Sequence, residues 1–105
     1  MHIIVYVTAK NLAEGRRIAK HLLARKLVAC VNIVNALESH YCWEGKIEQS
    51  AEVLLIIKTR KALFAKVAKA VKDVHSYQVP EIIALPIVAG EKKYMAWLAT
   101  ETQSI

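Results

Sequence analysis

Three runs of this chain are apolar at odd and even positions alike. They are Ile3-Ile4-Val5-Tyr6-Val7, Val53-Leu54-Leu55-Ile56-Ile57 and Ile82-Ile83-Ala84-Leu85-Pro86-Ile87-Val88. Short apolar runs rich in Val and Ile read as β-strands. Successive side chains of a strand point to opposite faces, so each run has two faces to hide. A sheet with one wet face would alternate apolar and polar residues, and these runs do not. Whatever this chain folds into must cover its sheet on both sides.

Helical spacing accounts for only one cover. Residues 12–26 place Leu12, Ile18, Ala19, Leu22 and Leu23 on one side. Asn11 is the expected N-cap, with Glu14 three residues on reaching back as in a capping box. Residues 61–75 form a second helix, begun by Thr59 or Arg60, with Leu63, Phe64, Val67, Ala70, Val71 and Val74 as its stripe. Strands are expected over 2–8, 28–43, 47–58 and 79–88. The second is bent or bulged near Asn35-Ala36 and turns at Glu44-Gly45. Gly90 breaks the fourth, and a short helix over 91–100 carries Tyr94, Trp97 and Leu98 on one face. The order βαββαβ plus a terminal helix is the α+β, ferredoxin-like split-βαβ plan, with both main helices on one face of an antiparallel sheet. An open apolar face on the other side would exceed what a soluble monomer tolerates. The expectation is therefore that other subunits cover it, helped by the long hairpin 28–58.

At 105 residues the chain is one domain, 1–105. Being 55% hydrophobic with three Gly and two Pro, it has the composition of an ordered fold. No apolar run approaches the ~18–20 residues of a membrane span, so no membrane partner is expected. The N-terminus enters a strand without a basic stretch or cleavage site, which points to a cytoplasmic location. The net charge of +6 lies mainly along helical faces such as Arg16, Arg17, Lys20, Lys66, Lys69 and Lys72. Solvated helix faces explain that pattern, and nucleic acid is not an expected partner. The two cysteines, Cys30 and Cys42, make no disulfide scaffold, and each reads as a small buried hydrophobe.

No H-x-x-x-H, C-x-x-C, H-E-x-x-H or G-x-S-x-G pattern occurs, and Gly15, Gly45 and Gly90 make no phosphate-binding loop. The chain is not expected to be an enzyme. Two stretches are nevertheless dense in chemistry. His75-Ser76-Tyr77-Gln78-Val79-Pro80-Glu81 joins the second helix to the fourth strand, and Tyr41-Cys42-Trp43-Glu44-Gly45 ends the second strand. His75 is the candidate metal ligand; its alternative reading is a histidine favoured by a helix C-terminus. Tyr41, Trp43, Lys58, Tyr77 and Glu81 are the candidate ligand-binding group, in a cleft between subunits.

Several motifs also match a known family in order: Ala29-Cys30-Val31-Asn32-Ile33, Ser39-x-Tyr41-x-Trp43-x-Gly45-x-Ile47, Glu52-x-x-x-x-Ile57-Lys58-Thr59, His75-x-Tyr77-x-Val79-Pro80-Glu81-Ile82 and Tyr94-x-x-Trp97-Leu98. Nearly end to end, the chain resembles the CutA divalent-cation-tolerance family. The resemblance implies the same ferredoxin-like fold, a tight homotrimer and a role in tolerance to copper and other divalent cations. No cofactor is implied as obligatory; the metal it suggests is Cu2+ or another divalent cation. Copper-binding members use a Cys at the end of the first strand, where this chain has Val7. They also use His residues before the Tyr-x-x-Pro-Glu motif, where this chain has Val74 and His75. The trimer architecture is similar to that of PII-type signalling proteins, so a small anionic ligand between subunits is the alternative function.

Overall fold

A computed structural model describes residues 1–104. Its elements are β1 (His2–Ala9), α1 (Leu12–Ala24), β2 (Cys30–Trp43), β3 (Lys46–Arg60), α2 (Phe64–Val74, entered through a 3-10 turn at Lys61–Leu63), β4 (Ile82–Pro86) and α3 (Lys92–Thr100). The four strands form one sheet in the order β2-β3-β1-β4. Every neighbouring pair is antiparallel. This is the ferredoxin-like plan read from the sequence.

The two faces of the sheet differ. Val5, Val7, Leu55 and Ile57 are fully buried and pack with Ile18 and Leu22 of α1 and Val67 and Val71 of α2. Gly15 lets α1 sit close on β3, since a Cβ there would lie 3.1 Å from Val53 Cγ2. The other face carries Ile4, Tyr6, Leu54 and Ile56 half-buried, with Val34, Ile83 and Leu85 exposed. Their register confirms a shared face, with Ile4 opposite Leu85, Tyr6 opposite Ile56 and Ile83, and Val34 opposite Leu54.

The hairpin 30–60 departs from plain alternation at one place. Val34 pairs with Leu54 and Leu37 with Glu52, so Asn35 and Ala36 together face only Val53. Ala36 takes a positive φ of 60°, and its N–H donates to Asn35 Oδ1. This bulge shifts the pairing by one residue. Beyond it Tyr41 opposes Glu48 and Trp43 opposes Lys46, on the same face as Glu52 and Leu54. An unbulged β2 would have turned Tyr41 and Trp43 to the helix side. The tip is a two-residue turn with positive φ at Glu44 (51°) and Gly45 (77°), the type I′ pattern that matches strand twist.

Several expected boundaries move. β4 is shorter than 79–88, because Pro80 lacks an N–H and pairing with β1 runs only from Ile82 to Pro86. Thr59 does not start the second helix; it ends inside β3, buried, and its hydroxyl donates to the Leu27 carbonyl at 2.6 Å. Cys30 is half-buried and Cys42 exposed, against the expectation of two buried hydrophobes. Cys42 lies on the hairpin arm, beyond the reach of the helix layer. In α3, Leu98 alone is fully buried, while Tyr94 and Trp97 stay exposed with rings 5.6 Å apart.

Asn11 caps α1 as expected, its Oδ1 accepting from the Glu14 N–H at 2.9 Å. Asn11→Ala removes this acceptor and should cost about 1 kcal/mol, read as a lower urea midpoint with unchanged slope.

Candidate functional site

The connection from α2 to β4 is held by two side chains. Glu14 is fully buried at the start of α1. Its Oε1 accepts from the Lys10 N–H at 3.0 Å and its Oε2 from the Ser76 N–H at 2.8 Å. The expected capping-box bond to Asn11 is thus replaced by one to Lys10, and a second reaches 62 residues along the chain. Burial pushes the Glu14 carboxyl up, but hydrogen bonds from Lys10 and Ser76 outweigh it and hold it below the usual carboxylate range.

His75 is the second tie. Its Nε2 lies 2.7 Å from the Thr8 carbonyl, and its Nδ1 lies 3.0 Å from the Tyr77 N–H. A carbonyl can only accept and a backbone N–H can only donate, so Nε2 carries the proton and Nδ1 accepts. The ring is neutral in this arrangement and both nitrogens are in use. The candidate metal ligand therefore has no free lone pair here. Among the described residues no group of three or more His, Cys, Asp or Glu converges as a metal site.

These ties place Tyr77 over the root of the hairpin arm, where its hydroxyl donates to Glu52 Oε2 at 2.6 Å. A cleft of about 750 Å3 opens there. Tyr41, Trp43 and Tyr77 supply aromatic surface, and Glu48, Glu52 and Glu81 supply carboxylates. Glu38, whose Oε2 lies 2.7 Å from His40 Nε2, adds a fourth carboxylate at the rim. Burial raises the Glu81 carboxyl, and the neighbouring Glu52 charge raises it further. Burial, followed by the bond to Glu52, pushes the Tyr77 phenol well above its usual range.

Four of the five candidate ligand-binding residues, Tyr41, Trp43, Tyr77 and Glu81, thus come together. Lys58 does not. It shares their sheet face but lies six residues from Glu52 along β3, about 20 Å away, with its ammonium on Asn32 Oδ1. Among the described residues no Lys or Arg lines the cleft, so it offers no ammonium or guanidinium to the small anionic ligand expected from the sequence. Glu52 and Glu48, carboxylates that the sequence also offers for a cleft between subunits, join the group. The signal for them is the register, because Glu48 faces Tyr41 only once the bulge is counted.

Residues 3–101 match the family described as CutA1 divalent ion tolerance protein. The chain belongs to the CutA1 family. It is 52% identical over 101 residues to the chloroplastic CutA 1 protein of Oryza sativa subsp. japonica, covering 96% of this chain and 57% of the rice protein. It is 49% identical over 98 residues to the divalent-cation tolerance protein CutA of Archaeoglobus fulgidus, covering 93% of this chain and 95% of that one. The chain spans little more than half the length of the plant relatives it matches. The solved CutA1 structure from Thermus thermophilus superposes with a TM-score of 0.96 at 43% identity, covering 98% of this chain and all of that one. The CutA1 fold read from this chain's strands is therefore that of its solved relatives. No helix of the described residues is long and apolar enough to cross a membrane.

Proposed function

We propose that this CutA1 chain serves in divalent-cation tolerance as a non-enzymatic homotrimer, and that it meets copper or another divalent cation weakly, at the carboxylates of the cleft. One observation carries the cation reading. A chain of formal charge +6 lines its cleft with Glu38, Glu48, Glu52 and Glu81 and with no Lys or Arg. Carboxylate oxygens suit hard ions such as Mg2+, Ca2+ and Mn2+ best and hold the borderline ions Cu2+ and Zn2+ only weakly. The absence of three converging ligands among the described residues argues for weak contact rather than a built site. His75 is not given the role, because releasing either ring nitrogen would break a bond that positions Tyr77. The trimer is supported by the block of Ile4, Tyr6, Leu54, Ile56, Ile83 and Leu85, which one chain leaves uncovered.

Calorimetric titration with Cu2+ and Zn2+ tests the site. His75→Asn, which keeps an acceptor for the Tyr77 N–H, should bind either ion as the parent does. The double variant Glu52→Gln, Glu81→Gln should lose affinity about tenfold, in keeping with the loss of two charged ligands. Loss of binding in His75→Asn with none in the double variant would return the site to the histidine.

A further inference from the structure

Glu52 is an anomaly within the cleft. It is only 7% exposed, yet it forms no ion pair among the described residues. Its Oε2 takes the Tyr77 hydroxyl, and its Oε1 receives no hydrogen bond from any described residue. That second oxygen still reaches solvent through the cleft and is open to a ligand's donor or positive charge. Glu81 stands beside it and shares its sign, so neither can neutralise the other. The surroundings define what could. A bare divalent ion is held tightly only by several oxygens at fixed short distances, and among the described residues no such set converges here. A large, diffuse cation has other requirements. It is held by carboxylates at longer range and by the faces of aromatic rings. Tyr41, Trp43 and Tyr77 supply those faces in the same cleft, which has room for a small organic molecule.

We propose that this cleft binds an organic ammonium ion, with Glu52 and Glu81 as its counter-charge and Tyr41, Trp43 and Tyr77 as its walls. The bulge at Asn35-Ala36 is part of the device, since it brings Tyr41 and Trp43 to the face that carries Glu52. The ammonium has two conceivable sources, a free small molecule or a lysine of a neighbouring copy. The proposal is the free molecule. The sheet face divides into an apolar block for the neighbour to cover and a carboxylate-lined cleft that an apolar neighbour could cover only at a high desolvation cost.

Tetramethylammonium and the uncharged tert-butanol are titrated into the assembled, metal-free protein by calorimetry and ligand-observed NMR. The mass of every variant is checked by light scattering. Tetramethylammonium should bind saturably and tert-butanol at least about tenfold more weakly, the difference expected when charge and π-faces act together. Glu52→Gln and Trp43→Leu should each weaken tetramethylammonium by about tenfold with the assembly intact. Equal binding of the two probes, or no saturable binding up to roughly 10 mM, overturns the proposal. So does a Glu52→Gln variant that loosens the assembly and leaves tetramethylammonium binding unchanged, for then the counter-ion is the neighbour's lysine. Because the protein is metal-free throughout, these outcomes are independent of the Cu2+ and Zn2+ titrations.

Discussion

Glu14→Ala should lower the unfolding free energy by about 3 kcal/mol, the cost of leaving the N–H groups of Lys10 and Ser76 without acceptors. Urea unfolding at a fixed protein concentration measures it, since an assembly's stability depends on concentration. A loss below about 1 kcal/mol would mean that water or a shifted loop satisfies both donors. The effect has a pH signature. The folded-state carboxyl is held below its ordinary value, so its contribution is present above the ordinary carboxylate pKa. That contribution disappears as pH falls through the lowered folded value. The gap between parent and Glu14→Ala should therefore be full at neutral pH and narrow in acid. Glu81 works in the opposite sense. Its carboxyl is raised, so its ionisation near neutral pH opposes folding and Glu81→Gln should not destabilise the protein there.

The second large effect concerns assembly. Ile56→Asp places a carboxylate at the centre of the uncovered sheet face, opposite Tyr6 and Asn32. If a second and third copy cover this face, the charge is stranded in each subunit at a cost of several kcal/mol. Sedimentation at micromolar concentration should then find the trimer in the parent and the 11.8 kDa chain or aggregate in the variant. An Ile56→Asp protein that sediments as the parent does would show that this face is not where copies meet. Ile47→Asp is the control. Ile47 is 83% exposed near the hairpin tip and points to the opposite face, so the substitution should cost the folded chain little.

Much of this structure is legible in the residues because period and punctuation are local properties. The two-sided runs announce strands that need two covers. Glu44-Gly45 announces its turn, and Asn11 its cap. Other features depend on partners far along the chain. Nothing around Glu14 marks Ser76 as its partner, since the contact exists only once β1, α1 and the α2–β4 connection meet. Likewise Tyr41 and Trp43 can be grouped with Tyr77, but their facing cannot be read by counting alternation. One inserted residue at Asn35-Ala36 reverses it; the bend or bulge expected there is a bulge, as the pairing with Val53 shows. Lys58 shows the same limit from the other side. Its type and face suit a site, and its position along β3 removes it from the cleft. His75 stands out in the sequence for its chemistry, but its bonds to Thr8 and Tyr77 show it at work as an internal brace.

The placement of β1 bears on how the chain can be made. β1 precedes all its partners in the chain, yet it lies inside the sheet between β3 and β4. His2 waits for Arg60, and Ile3 waits for Pro86, before both edges of the strand are paired. The β2–β3 hairpin can close locally, but no partial chain that stops short of β4 has a home for both sides of β1. A growing polypeptide therefore carries a two-sided apolar strand with at least one edge open until β4 follows, exposed to mispairing with other nascent chains. For this topology the last strand made decides when the first becomes safe.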